Sequence, residues 1–252
     1  MNPDAGWRLP DSPLRASALT SKLLGLAAVV ALAGAARTAL PLGDRYPLKA
    51  AGLFAAVMGL SIGFLRQHHP FTRFGAANQI TTLRAIVVAL VAGLVGEPRV
   101  PAVALAAAAA SVAVTALDGV DGWLARRHRI ASRFGARFDM EIDALLILAL
   151  SVLAWRHDKA GAWVIASGML RYVFVAAGAL APRLRAALPP SRRRQTICVV
   201  QIAALNLAIV PIIPAAASTV LAAIALAYRR ELDYYPEIPD NEQSRKTGQD
   251  TL

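Results

Sequence analysis

The chain has 252 residues, of which 56% are hydrophobic and only 17% charged, and its mean hydropathy is +0.48. This composition is too apolar for an ordinary soluble domain. The net charge of +11 would suit nucleic acid, but no soluble domain supports that interpretation, so anionic lipid headgroups are the expected partner. The single cysteine, Cys198, excludes an internal disulfide framework and is predicted to be a small core or lipid-facing residue.

Apolar stretches follow one another along the whole chain, each near the twenty or so residues that a bilayer requires. In chain order they cover residues 23–40, 48–65, 80–96, 100–125, 138–155, 160–181, 196–213 and 215–228. The pattern predicts an all-α, polytopic membrane bundle with eight spans. No cleaved secretory signal is expected, because the first stretch is long and nothing favours its removal.

The distribution of basic residues predicts the orientation of these spans. With a cytoplasmic amino terminus, nineteen Lys and Arg residues lie in inner segments and five in outer loops. This bias satisfies the positive-inside rule. We therefore expect an integral protein, of a bacterial inner membrane, with both termini and the loop after the fourth span in the cytoplasm.

Four carboxylates lie where the fourth span ends and the fifth begins. Asp118 and Asp121 are three residues apart, and Asp139 and Asp143 are four apart, so each pair shares one face of a helix. Four negative charges beside lipid would repel one another and become protonated unless cations balanced them. Two divalent ions would do so, and ligands that are all oxygen favour Mg²⁺ or Mn²⁺. The sequence predicts a binuclear metal site.

The residues between the two pairs indicate phosphate chemistry. Gly122 has no side chain to keep a substrate from the helix backbone. Arg126, one turn further along, offers a guanidinium fork suited to phosphoryl oxygens. Gly135 is placed to interrupt the chain, so that the second pair of aspartates turns toward the first.

The spacing D-x2-D-G-x2-A-R-x8-G-x3-D-x3-D, complete from Asp118 to Asp143, resembles the signature of the CDP-alcohol phosphatidyltransferases, integral membrane enzymes of phospholipid synthesis. The resemblance covers about residues 72–230 and implies a six-span core. Residues 1–71 are then an extension with two further spans, expected to pack, anchor or dimerise, and 231–252 are a polar tail predicted to be disordered. Homodimers are common in this family, so a homodimer is expected.

The resemblance implies transfer of a phosphatidyl group from a CDP-linked lipid to an alcohol, with CMP as leaving group. Asp118, Asp121 and Asp139 would be the main metal ligands, and Asp143 would both assist the metals and act as general base. The positions that match nucleotide or phosphate contacts are Gly122, Arg126, Ser132 and Gly135. Upstream, the N-Q-I-T-T-L-R stretch from Asn78 to Arg84 resembles a second family element, in which Asn78 and Thr81 would contact CDP; the alternative is that Asn78 only caps a helix.

The acceptor alcohol is less defined by the sequence. Arg171 lies in the middle of a span, where an arginine is costly unless it faces a polar cavity. Arg192, Arg193 and Arg194 lie on the same side as the aspartates, either to bind a phosphorylated acceptor such as glycerol 3-phosphate or an inositol phosphate, or only to satisfy the positive-inside rule. Glu141 points away from its aspartate neighbours, so it is expected to be a subfamily mark or to form an interhelical hydrogen bond rather than to bind metal.

Three other classes of protein were compared with this interpretation. A membrane prenyltransferase also binds a Mg²⁺-diphosphate with aspartates, but its acidic motifs usually lie on well-separated repeats, whereas Asp118 and Asp139 are 21 residues apart. A transporter with an acidic site should show an inverted repeat, and no second acidic segment lies within the predicted spans. A catalytically dead scaffold is disfavoured because every signature residue is present.

Overall fold

The computed structural model describes residues 12–68, 76–128, 133–180 and 192–234, with side chains placed over 16–59, 61, 78–119, 135, 138–177 and 196–227. Every regular element in these ranges is helical. The elements are α1 (Ser12–Ala39), α2 (Tyr46–His68), α3 (Ala76–Gly93), α4 (Pro101–His128), α5 (Arg133–Arg156), a single 3-10 turn (Ala162–Val164), α6 (Ile165–Leu180), α7 (Arg192–Ile209) and α8 (Ala215–Tyr234).

One α-helix corresponds to each predicted apolar stretch, so the all-helical class is confirmed. The largest differences are at helix ends: α1 begins at Ser12 rather than near 23, and α8 continues to Tyr234, into the predicted tail. Charged and polar residues continue a helix readily once an apolar stretch has started it, so hydropathy alone misplaces such ends. By length and composition, 16–39 and 101–119 are apolar enough to cross a membrane, and the count of eight spans stays a prediction.

The third helix occupies the middle of the bundle. It packs against α1, α2, α4 and α5. Over the described residues, the two aspartate-bearing helices, α4 and α5, touch each other only over a short stretch, and α7 packs against both. A buried hydrogen bond of 2.5 Å from Ser111 Oγ to Asn206 Oδ1 joins α4 to α7. The arrangement leaves α3 and α7 as the elements that hold the two aspartate helices in place.

Close backbone contact joins α5 to α6. A Cβ atom added at Gly168 would lie 2.5 Å from Leu148 Cα, which is inside van der Waals contact, so only glycine allows these two helices to approach so closely. Nearby, Ser151 Oγ and Ser167 Oγ are 2.9 Å apart, and each also lies within hydrogen-bond distance of a carbonyl, Ile147 O of α5 for Ser151 and Val164 O of the 3-10 turn for Ser167. Small residues and paired hydroxyls at a helix interface are typical of bundles within lipid.

The N-terminal helices are joined to the rest of the bundle at one end and to each other at the other end. At one end Glu97, in the α3–α4 connection, accepts hydrogen bonds from Gly43 N (2.6 Å) and from Lys49 Nζ. At the other end the buried Lys22 of α1 donates to Met58 O (2.8 Å) and Ser61 Oγ (2.6 Å) of α2. The hydropathy pattern indicated no polar cluster here, because each group lies alone in an apolar stretch and its partner is far along the chain.

Candidate active site

Aspartates from two helices meet at one end of the bundle. Asp118 lies ten residues before the end of α4, and Asp139 and Asp143 lie in the first half of α5. Each offers a carboxylate oxygen, and these three oxygens lie within 4.8 Å of one another. The one-turn spacing of Asp139 and Asp143 places both on the face of α5 that is turned toward Asp118.

Arg84 of α3 lies at the centre of this cluster. Its Nη1 is 2.7 Å from Asp118 Oδ1 and donates a hydrogen bond to Asp139 Oδ1, while its Nη2 donates to Asp143 Oδ1. The side chain is 1% exposed, whereas the three carboxylates remain partly exposed. The sequence placed Arg84 in a recognised motif but assigned it no role, and the cost of an arginine within a span was the signal that could have identified it.

Cys198 of α7 approaches the cluster from the opposite side. Its Sγ is 3.8 Å from Asp143 Oδ2, so the thiol contacts the carboxylate oxygen that Arg84 does not bind. The prediction of a small core or lipid-facing residue missed this contact, because nothing along the sequence connects position 198 with position 143. Asp143 is thus held from α3 and from α7 at once.

The predicted nucleotide contacts are distributed around the same end. Asn78 and Thr81 are buried on α3, with Thr81 three residues before Arg84. Gly135 lies one turn before Asp139 on α5. Asp121, Gly122 and Arg126 occupy the last turns of α4, but their side chains lie outside the described ones, and Ser132 lies outside the described residues altogether.

The predicted acceptor residues fall into two separate places. Arg171 of α6 donates to both oxygens of Glu141, by Nε at 3.3 Å and by Nη2. At 100° per residue, Glu141 lies on the opposite side of α5 from Asp139 and Asp143, so this pair points away from the cluster. Arg192, Arg193 and Arg194 form the first turn of α7, and their side chains lie outside the described ones.

The aspartate cluster fits a divalent metal ion. Its ligand atoms are all carboxylate oxygens, the type that Mg²⁺ and Mn²⁺ prefer. Oxygens on opposite sides of a Mg²⁺ ion are about 4.2 Å apart, so a spread of up to 4.8 Å requires only small side-chain movements. Arg84 contributes one positive charge against three negative ones, and the net negative charge of this group favours a cation.

The fold and the cluster together define a helical-bundle protein whose two neighbouring helices present a carboxylate site for cations at one end. The model of the CDP-alcohol phosphatidyltransferase family matches residues 74–229, more than half of the chain, and the chain belongs to this family. The family consists of membrane-integral transferases of substituted phosphate groups, which generally use divalent metals. Comparisons with curated proteins and with solved structures gave no match.

Proposed function

We propose that the protein transfers a phosphatidyl group from CDP-diacylglycerol to an alcohol and releases CMP, as a step of phospholipid synthesis. The observation that carries this proposal is the meeting of Asp118, Asp139 and Asp143 within 4.8 Å, on the two helices that hold the family signature. A cluster of oxygen ligands next to apolar helices suits a substrate with a charged diphosphate and lipid chains.

Asp118, Asp139 and Asp143, with Asp121 one turn after Asp118, would hold two Mg²⁺ or Mn²⁺ ions. When bound, the ions would neutralise negative charge on the transferred phosphate and on the departing CMP. Three of the four ligands already lie together. The second ion depends on Asp121, so the number of ions is part of the proposal.

Asp143 is proposed to accept the proton of the acceptor alcohol. The alcohol oxygen forms a bond to the phosphorus next to the lipid, the bond from that phosphorus to the CMP oxygen breaks, and the proton passes to the carboxylate. Arg84 and Cys198 contact different oxygens of Asp143, which fixes the plane of the carboxylate. A base held from two helices is already oriented when substrate arrives.

The nucleotide is proposed to lie between α3 and the signature segment. Asn78 and Thr81 sit within two turns of Arg84, so groups on α3 can reach a diphosphate held at the aspartates. The residues assigned to the CDP moiety are Asn78, Thr81, Gly122, Arg126, Ser132 and Gly135. Glycine at 122 and 135 would let the nucleotide approach the backbone.

The acceptor is proposed to be a phosphorylated alcohol such as glycerol 3-phosphate or an inositol phosphate. Arg194 lies four residues before Cys198 on α7, on the same helix face and about 6 Å nearer the helix start. Because Cys198 contacts Asp143, the first turn of α7, with Arg192, Arg193 and Arg194, begins close to the proposed base. Arg171 is charge-matched by Glu141 on the far side of α5, so it would have to leave that partner to bind an acceptor.

The protein is further proposed to reside in a bacterial inner membrane, as a homodimer, with the aspartate end facing the cytoplasm. The basic segments that support this orientation include the first turn of α7, at the aspartate end of the bundle. CDP-linked substrates are made on the cytoplasmic side, where soluble nucleotides are found.

The test of the reaction is CMP release by detergent-purified protein given CDP-diacylglycerol, Mg²⁺ or Mn²⁺, and a panel of acceptors. Asp143→Asn should lose at least about 10²-fold in turnover, as expected for loss of a general base. Asp158→Asn is the matched control, because Asp158 is exposed at the other end of the bundle. Metal-dependent CMP release that survives in Asp143→Asn would refute the base assignment, and no CMP release with any acceptor would count against the donor.

Separate variants test the acceptor contacts. Arg194→Ala should raise the acceptor KM at least about tenfold with little change in the KM for the CDP-lipid, since it would remove a charge-assisted phosphate contact. Arg171→Ala distinguishes its two roles: a raised acceptor KM assigns it to the acceptor site, and an unchanged one assigns it to the pair with Glu141. If a neutral alcohol such as serine proves to be the substrate, the anionic acceptor is wrong.

A further inference from the structure

We infer that Arg84 is the resident counter-ion of the aspartate cluster: it holds α4 and α5 together before metal binds, and it competes with the metal for the same oxygens. In this role Arg84 is a positioning residue rather than a catalytic one. The competition with metal rests on the proposed metal site, but the role in holding the helices does not.

The charges of the cluster require such a group. Three carboxylate oxygens within 4.8 Å repel one another, and near an apolar interior that repulsion is screened less than in water. Arg84 contacts all three carboxylates, and the structure shows no other cation in contact with them over the described side chains. Without Arg84, a metal-free cluster would have to take up protons or move its helices apart.

The guanidinium group suits this position better than an ammonium would. Nη1 contacts Asp118 and Asp139, and Nη2 contacts Asp143. Two nitrogens of one planar group therefore contact carboxylates on two helices. A lysine ammonium is a single point charge, and it cannot offer two separated donors at fixed angles. The Arg84 Nε atom is buried with no acceptor among the described side chains, so the contacts of Arg84 are concentrated at its tip.

The packing of the helices gives this contact a structural purpose. Over the described residues α4 and α5 touch each other little and both pack on α3, and Arg84 of α3 contacts aspartates of both helices. Arg84 is 1% exposed, and a buried charge keeps its place only when its partners balance it. Arg84 therefore links the two halves of the signature through the helix that lies between them.

Stability without metal gives the first test. In EDTA, Arg84→Gln should lower the thermal midpoint of the detergent-solubilised protein, because it leaves three carboxylates uncompensated. Adding Asp139→Asn to Arg84→Gln removes one negative charge and should restore a large part of the loss. Adding Asp158→Asn, the same change at a distant exposed aspartate, should restore none. If Asp139→Asn gives no rescue, or if Arg84→Gln is as stable as the wild type in EDTA, the counter-ion role is refuted.

Metal affinity gives the second test, because the direction in which Arg84→Gln changes the affinity for Mn²⁺ distinguishes competition with the metal from arrangement of its ligands. If Arg84 competes with the cation, Arg84→Gln should bind Mn²⁺ at least about tenfold more tightly, measured by EPR titration of EDTA-stripped protein. If Arg84 only arranges the metal ligands, the same variant should bind Mn²⁺ more weakly, which would overturn the competition. Arg171→Gln, which removes an arginine paired on the far side of α5, should leave the Mn²⁺ affinity unchanged.

A third variant, Arg84→Lys, allows the same tests if Arg84→Gln does not fold. Arg84→Lys keeps the positive charge but loses the fork, so it should fold, with a midpoint in EDTA below that of the wild type and a Mn²⁺ affinity within about threefold of it. An Arg84→Lys midpoint equal to the wild type would show that only the charge matters and would refute the bridging role. If the wild type binds no Mn²⁺, the proposed metal site is refuted. The role of Arg84 as a counter-ion is then still tested, because the rescue by Asp139→Asn is measured in EDTA without metal.

Discussion

Replacing Gly168 with alanine tests the close approach of α5 and α6 that sets the position of Arg171 against Glu141. The added Cβ would lie 2.5 Å from Leu148 Cα and 2.9 Å from Leu148 N, where ordinary contacts are about 3.5–4.0 Å. Both atoms belong to the backbone and cannot rotate away, so the helices must separate by about 1 Å. Such overpacking costs about 3 kcal/mol, at the upper end of its usual range, and the better helix propensity of alanine offsets about 1 kcal/mol.

Gly52→Ala on α2 is the matched control, because a Cβ at Gly52 meets nothing within 4 Å. It keeps the gain in helix propensity without the clash, so the two variants should differ by about 3 kcal/mol. For a chain of this size that corresponds to a difference of about 6–12 °C in apparent thermal midpoint, measured in detergent by circular dichroism at one scan rate. If Gly168→Ala is as stable as Gly52→Ala, the two helices do not pack at this distance and the placement of Arg171 must be revised.

Three further predictions concern contacts outside the aspartate cluster. Burial alone would raise the pKa of Glu97, but the Lys49 ammonium and the Gly43 amide lower it overall. Glu97→Gln should therefore cost about 2 kcal/mol at pH 7, and the difference in thermal midpoint between variant and wild type should close as the pH falls below about 4. A difference that does not depend on pH would contradict the charge-based explanation. Ser111→Ala combined with Asn206→Leu should show a coupling energy of about 0.5–1 kcal/mol in a double-mutant cycle, and strictly additive effects would mean that the hydrogen bond between α4 and α7 contributes nothing. Lys22→Met should leave the thermal midpoint within about 2 °C of the wild type or raise it. The reason is that Ser61 Oγ keeps its hydrogen bond to Met58 O, while a buried amine is replaced by an apolar side chain of similar size. A larger fall in the midpoint would show that the amine stabilises the pair of helices α1 and α2.

The sequence predicted the features that depend on spacing along one helix. Apolar stretches located each of the described α-helices, and the spacing of Asp139 and Asp143 placed them on one face of α5, where the structure has them. Of the two roles expected of Glu141, the interhelical bond is present. These expectations rest on residues within one or two turns of one helix, which helical geometry alone relates, whereas the partner Arg171, 30 residues away, could not be named.

Contacts between distant helices could not be predicted in the same way. Arg84 is 55 residues from Asp139 and 59 from Asp143, and Glu97 is 54 from Gly43. Each polar group stands alone in its own stretch, and only the packing order of the helices decides which of them meet. The cost of an arginine in a span could have shown that Arg84 needs a partner, but nothing in the sequence distinguished the aspartates from other acceptors.

The packing order also assigns a role to the two N-terminal helices, which the family match does not cover. They pack on α3, which also packs on α4 and α5 and carries Arg84 into the cluster. Glu97 fixes the loop before α2 to the connection that follows α3, and Tyr46 of α2 donates a 3.1 Å hydrogen bond to Leu90 O of α3. A helix that packs against helices of both the extension and the core has little freedom to shift, so the Arg84 guanidinium stays in contact with the carboxylates. The extension therefore supports the helix that carries Arg84 into the cluster, a role that packing alone fulfils.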